Sequence, residues 1–247
     1  MVDFIIQVVG KAVAVRANFD TTKQFCKDYL WDGEPDFSVE ITAEDLAYER
    51  AESEARGQRD SAAYLEVTAL LRKISGKLPE YGALMFHGSA VAVDGVGYLF
   101  TAPSGTGKST HTRLWRQLLG ERAVMINDDK PFLQICEEGV MVCGSPWTGK
   151  HRLGTNTCVP LKAICLLERG EANRIRPIHA REAVPVLLQQ SGRPRDVRLI
   201  PLYMELLDRL ASHVTFYRLQ CNMDPCAAQV ACEAMLSTTG KQDAALL

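Results

Sequence analysis

A chain of 247 residues with 47% hydrophobic side chains can bury a substantial core, as one large domain or as one domain with an N-terminal addition. Its formal net charge of −2 argues against a nucleic-acid partner, because contacts to a phosphate backbone need a basic surface. No run reaches the ~18 apolar residues of a membrane span, and the opening Met1 to Gln7 lacks the basic start and long apolar core of a secretory signal, so a cytoplasmic protein with no membrane partner is expected.

Residues 4–18 carry β-branched residues in near-alternation (Ile5, Val8, Val9, Val13, Val15), which predicts a hairpin turning at Gly10-Lys11. Residues 43–74 predict helix, with Tyr64, Val67, Leu71 and Ile74 as one apolar stripe. The charged run from Glu49 to Asp60 is expected to be its solvated part, and Gly57 divides it into two helices. Residues 1–78 carry no chemical signature and read as an N-terminal α/β addition to a unit spanning 79–247.

From residue 83 the pattern changes to strands. Leu84 to Val93 and Gly97 to Thr101 flank Asp94-Gly95, a strong hairpin signal. Residues 123–127 predict a buried strand. A second hairpin is expected at 131–135 and 140–143, around Glu138-Gly139, and another strand at 161–168. Helices are expected near 181–190 and 196–211, the second with a stripe of Leu199, Tyr203, Leu206 and Leu210, then a strand at 214–219 and a helix at 224–236. The mixture indicates an α/β protein with a mixed sheet. The eight cysteines form no Cys-x-x-Cys pair and read as reduced residues without metal or disulfide roles.

The chemistry concentrates after the strand 97–101. Residues 102–110 read Ala-Pro-Ser-Gly-Thr-Gly-Lys-Ser-Thr, a phosphate-binding loop in which Ala102 stands where the strict pattern has glycine. Ser104, Gly105, Thr106, Gly107, Lys108, Ser109 and Thr110 are the expected nucleotide contacts. The two glycines let successive N–H groups turn inward toward phosphate oxygens. Lys108 brings a cation to the β/γ-phosphates, and the Ser109 hydroxyl is an expected Mg²⁺ ligand. Leu114, Trp115, Leu118 and Leu119 follow at helical spacing, and Gly120 marks the stop.

The next strand ends in Asp128-Asp129. One carboxylate can hold Mg²⁺ and the other can take a proton from an attacking hydroxyl, provided the chain turns there, since neighbouring side chains on a strand point oppositely. His87, in Phe86-His87-Gly88-Ser89, opens the hairpin that leads into the loop. Lys150, Arg152 and Arg193 are candidate contacts to phosphate or substrate, and Arg193 and Arg195, in Ser-Gly-Arg-Pro-Arg, are candidate suppliers of a transition-state cation.

Taken together, His87-Gly88, Asp94-Gly95, Ser104 to Ser109 and Asp128-Asp129 resemble, in order and spacing, the C-terminal catalytic domain of HPr kinase/phosphorylase and its structural relatives, the phosphoenolpyruvate carboxykinases. The resemblance covers residues 83–135. Beyond it, the family's glycine-rich signature segment is replaced by Gly144 to Arg152. The resemblance implies a mixed-sheet P-loop kinase fold with Asp128 as base, Asp129 as metal ligand, and His87 and Lys108 beside the reacting phosphate. The implied activity is ATP- and Mg²⁺-dependent transfer of a γ-phosphate to a serine-like hydroxyl of a small molecule, peptide or protein. Two alternatives are a nucleotide-binding regulator without transfer activity and a carboxykinase-like enzyme.

Overall fold

The structure, a computed structural model, describes residues 1–237; residues 238–247 of the unit read as 79–247 lie outside the described residues. The chain opens with β1 (Val2–Val8) and β2 (Lys11–Ala17). Their turn sits one residue earlier than expected, at Val9 and Gly10, both at positive φ (47° and 70°), as a tight hairpin between twisted strands requires. After α1 (Asp20–Phe25), β3 (Leu30–Trp31) and β4 (Phe37–Glu40) complete a four-stranded sheet in the order β3-β1-β2-β4. Two helices follow, α2 (Ala43–Ala55) and α3 (Ala62–Lys77). Thr42 and Asp45 close a capping box on α2, and Ser61 caps α3.

Two expectations about these helices are corrected. Tyr64 is 57% exposed, and the buried face of α3 is carried by Leu65, Val67, Leu70 and Ile74. The run from Glu49 to Asp60 is not wholly solvated either. Glu49 and Ser53 are buried, because α2 turns them inward, Glu49 toward Arg72 of α3 and Ser53 toward Asp60.

The rest of the chain builds a nine-stranded mixed sheet with β5 (Ala83–Met85), β6 (Ser89–Val93), β7 (Val96–Thr101), β8 (Ala123–Asn127), β9 (Phe132–Cys136), β10 (Gly139–Cys143), β11 (Cys158–Arg169), β12 (Arg174–Ile178) and β13 (Thr215–Cys221). Its main path is β5-β9-β10-β11-β7-β6-β8, with β13 beside β11 and β12 beside β13. The stretch Leu84 to Val93 is thus two strands: β5 pairs with β9, and β6 with β7 and β8. Strand β8 is an edge on this path and leaves Val124 exposed, contrary to a fully buried strand. Strand β12 escaped the sequence reading because its Arg-Ile-Arg-Pro-Ile run is polar on a sheet edge.

Helices α4 (Lys108–Leu119) and α7 (Cys226–Leu236) cover one face, and α5 (Ala180–Gln190) and α6 (Ile200–His213) the other. Alternation along the central strands feeds both layers. Ile164 and Leu166 of β11 join Leu99 and Leu206 in one core, while Ala163, Cys165 and Leu167 join Phe100 and Trp115 in the other. On α4, Leu114 and Trp115 are buried as expected, whereas Leu118 is exposed and His111 takes a buried place instead. A third core packs β1, β2 and α3 against Phe132, Cys143 and Trp147.

Cys143 and Cys158 are joined by a disulfide, which corrects the expectation of eight reduced cysteines. The two stand directly opposite in the antiparallel β10–β11 pair, with Cα atoms 4.1 Å apart. Among the described residues no helix is long and apolar enough to cross a membrane.

Candidate functional site

Strand β6 is antiparallel to both β7 and β8, so β7 and β8 run in the same direction and end at the same edge, where β6 begins. That connectivity brings three sequence-distant segments together: the loop after Thr101, the segment after Asn127 and the segment before Ser89. The carboxyl edge of a sheet is the common location of ligand sites in α/β proteins.

Between β7 and α4 the glycine-rich loop carries Gly105 at φ 78° and Gly107 at φ 118°, conformations that side-chain-bearing residues avoid. Gly107 is the N-cap of α4 and provides no side-chain cap, so amides of the first helical turn face the loop unclaimed by one. Ser109 and Thr110 are half-buried in that turn, and Ser104 is exposed on the loop, with Thr106 half-buried beside it. Lys108 is buried and its ammonium donates to the Ala102 carbonyl at 3.0 Å. Burial, then the nearby charge of Lys130, lowers its pKa, against the pull of Asp129 and Asp128.

Asp128 is only 7% exposed, and its Oδ1 accepts from Ser89 Oγ at 2.6 Å. A carboxylate only accepts, so the Ser89 proton is committed to it, and Thr112 Oγ1, 2.8 Å from Ser89 Oγ, donates in turn. This relay ties the end of β8 to the start of β6 and the first turns of α4. Among the described residues no hydrogen bond engages Asp128 Oδ2.

Asp129 faces the other way round the site. Its Oδ1 accepts from Lys130 Nζ at 3.0 Å and lies 3.4 Å from His87 Nε2. Burial first, then Lys130 and Lys108, push the His87 pKa down to about 4, with Asp129 and Gln190 opposing, so the imidazole is neutral at neutral pH. The backbone of His87 is fixed by its N–H to Gln190 O at 2.7 Å and by Thr101 Oγ1 to its carbonyl at 3.0 Å. Gly88 admits no side chain: a Cβ there would come within 3.0 Å of the Phe100 carbonyl.

The turn that two adjacent aspartates require is supplied by Asn127. Its side-chain oxygen accepts from the N–H of Asp129 at 2.9 Å and of Lys130 at 2.7 Å, an Asx turn that lifts the chain out of β8. Asn127 is fully buried and donates to Ser145. Asn127, Ser89 and Lys130 were absent from the sequence-derived set, although an asparagine ahead of Asp-Asp is a turn signal. Arg169, at the end of β11, is a further omission: it donates to the Gly105 carbonyl of the loop at 2.5 Å.

Lys150 and Arg152 lie exposed on the loop between β10 and β11. That loop lies against the aspartate turn. Leu153 O accepts from Asp128 N at 3.1 Å, Trp147 O accepts from Lys130 N at 3.1 Å, and a Cβ on Gly149 would stand 3.0 Å from the Asp129 Cβ. The same loop reaches residues 1–78, through Trp147 Nε1 to Val67 O at 2.8 Å and Asn156 Nδ2 to Asp28 O at 2.8 Å. Arg193 is exposed next to Gly192, whose N–H bonds Met85 O at 2.8 Å. Arg195 lies 3.8 Å over the ring of Tyr48 on α2, which directs it to that helix.

The family described as SynChlorMet cassette protein ScmC matches residues 55–226, well over half of the chain. No curated protein matches it. Among solved structures, the HPr(Ser) kinase/phosphatase from Coxiella burnetii is similar at 12% identity and a TM-score of 0.36, over 63% of this chain and 99% of that one.

Proposed function

We propose that this chain, which belongs to the family of the SynChlorMet cassette protein ScmC, is an ATP- and Mg²⁺-dependent kinase of P-loop type that phosphorylates a hydroxyl group. One observation carries the reading: the glycine-rich loop with its buried Lys108, and a buried aspartate fixed by Ser89, meet at one sheet edge. Phosphoryl transfer asks a protein mainly for positioned phosphates and an oriented nucleophile.

The loop amides of Ser104 to Lys108 and the start of α4 bind the phosphates, and Lys108 exchanges the Ala102 carbonyl for phosphate oxygens. Asp128, oriented through Oδ1, presents Oδ2 to the acceptor hydroxyl and takes its proton. The acceptor oxygen forms a bond to the γ-phosphorus as the bond from that phosphorus to the β,γ-bridging oxygen breaks, and that oxygen leaves on ADP. Neutral His87 stands beside the transferred group.

Ser109 and Asp129 would hold Mg²⁺, and the donor chemistry fits. Both are hard oxygen ligands, and among the described residues no cluster of three or more His, Cys, Asp or Glu forms an all-protein cage. Mg²⁺ suits a site of one or two protein oxygens completed by phosphates and water. Bound there, the ion supplies neutralisation of phosphate charge.

The test is transfer of label from γ-labelled ATP, with Mg²⁺, into a small-metabolite extract and a peptide pool. A labelled product is expected, and Asp128→Asn is expected to cut its formation by about 10²- to 10⁴-fold, the usual value of general-base catalysis, while keeping ATP affinity. Tight ATP binding with no product in either pool would replace the kinase with a nucleotide-binding regulator.

A further inference from the structure

We propose that Lys130 is a second phosphate-binding cation of the site, contacting the γ-phosphoryl group opposite Lys108. The proposal rests on the kinase reading above and adds a catalytic residue to it.

The backbone of Lys130 is held at three points outside any strand. Its N–H donates to Asn127 Oδ1 at 2.7 Å and Trp147 O at 3.1 Å, and its carbonyl accepts from Ser145 Oγ at 2.6 Å. Asn127 and Ser145 are both fully buried and bonded to each other. A lysine that served only as a surface counter-ion would need none of this, since its long stem could find a carboxylate from a loose backbone. Pro131 follows and restricts the Lys130 backbone further.

The side chain is 22% exposed and points to the reacting region. Its ammonium lies 3.0 Å from Asp129 Oδ1, which itself lies 3.4 Å from His87 Nε2. Asp129 Oδ1 thus joins Lys130 to His87, and Lys108 opens the helix after β7 at the same sheet edge. Lys108 spends its ammonium on a backbone carbonyl and Lys130 on a single carboxylate oxygen, so both cations keep donors for a ligand with several negative charges. In the transfer step the γ-phosphoryl oxygens carry charge while the acceptor oxygen bonds to phosphorus, its proton passes to Asp128 and the bridging oxygen departs on ADP. Lys130 donates to one of those oxygens throughout, and no bond to Lys130 itself is made or broken.

The position makes a distinction that binding can read. A γ-phosphate contact is felt by ATP and not by ADP, whereas Lys108 spans the β- and γ-phosphates. Lys130→Met keeps the stem and removes the charge. With Mg²⁺ present, it is expected to weaken a non-hydrolysable ATP analogue by about 10- to 100-fold, the worth of one charged hydrogen bond, and to change ADP affinity less than about 2-fold on the same scale. Lys130→Arg is expected to restore most of the analogue affinity. Equal losses for both nucleotides, or no loss for either, would overturn the role of Lys130 and leave the kinase reading standing. If the native chain binds neither nucleotide, the phosphate-loop reading falls and Lys130 falls with it.

Discussion

Buried charge is handled in opposite ways in two regions of this protein. Between α2 and α3, Arg72 bonds Glu49 at 2.5 Å and Asp45 at 2.9 Å, and Lys73 bonds Asp45 at 2.6 Å. Against the cost of burial, Lys73 and Arg72 hold the Asp45 carboxyl well below the ordinary range. On the inner side of α3, fully buried Glu66 accepts from Asn18 N at 2.6 Å, Asn18 Nδ2 at 2.8 Å, Phe19 N at 3.1 Å and Thr22 Oγ1 at 2.5 Å. Each charge there is answered by hydrogen bonds. At the edge formed by β7 and β8, Lys108 and Lys130 share a region, His87 is forced neutral, and Asp128 keeps one oxygen unengaged. Matched charges build structure; the partly engaged ones at the edge are those that the kinase reading proposed above assigns to a charged ligand.

The largest effect that separates the two regions is expected at Glu66. Glu66→Ala orphans four donors at the start of α1 and should lower unfolding free energy by about 3–5 kcal/mol, the scale of breaking a buried charged network. Urea unfolding measures this, and nucleotide affinity of the folded fraction should stay unchanged. A loss of affinity without a loss of stability would erase the contrast.

Lys108→Ala should do the reverse. On the kinase reading proposed above, nucleotide affinity is expected to fall at least about 100-fold, close to 2.7 kcal/mol, because the cation assigned to the β- and γ-phosphates is gone. Stability should hold or rise, since the folded state already disfavours the charge on Lys108. Calorimetric titration with ATP beside a thermal melt reads both numbers. A variant that unfolds while the remaining folded protein still binds ATP would make Lys108 a structural residue like Glu66.

The same contrast explains what the sequence could and could not reveal. The loop, Asp128, Asp129 and His87 were legible because backbone turns, phosphate chemistry and strand ends each leave a local residue pattern, from Gly105 to Ser109 above all. The near-continuous apolar runs of β6, β7 and β11 were legible because each is buried on both faces. The matched cluster was not: nothing local in the charged run of α2 shows that Glu49 meets Arg72, 23 residues away. The disulfide stayed hidden for a similar reason, since the pairing of Cys143 with Cys158 depends on the register of β10 against β11. Lys130 and Ser89 sat within or beside segments already recognised, but their importance comes from partners that only the sheet topology supplies, such as Thr112 for Ser89. Tyr64 was misplaced because an apolar period fixes a helix more firmly than it fixes which way the helix faces.

The smallest expected effect concerns pH, and it sharpens the contrast by asking which region fails first in mild acid. His111, buried on α4 beneath the glycine-rich loop, accepts from Trp115 Nε1 at 3.1 Å, so its Nε2 is unprotonated. Burial pushes its pKa down to about 4 from the ordinary 6.5. The folded pKa is depressed, so between these values the unfolded chain binds the proton and the folded chain does not. Stability therefore falls as pH drops through 6.5, and the loss is complete below 4. From pH 7 to pH 5 this one residue should cost about 2 kcal/mol. His111→Gln keeps an acceptor for Trp115 and removes the titration, so its unfolding free energy should be flatter by that amount over the same range. The Asp45 cluster has the same sign in a lower window. Its depressed carboxyl contributes stability above the ordinary carboxylate pKa and loses it only as pH falls toward the folded value, well below this window. Acid loss between pH 7 and pH 5 should thus arise at His111 and at His87, whose pKa burial likewise pushes down to about 4, and leave the α2–α3 cluster intact. A His111→Gln variant as acid-sensitive as the native chain in that range would show that the mismatch under the loop is not what mild acid reads.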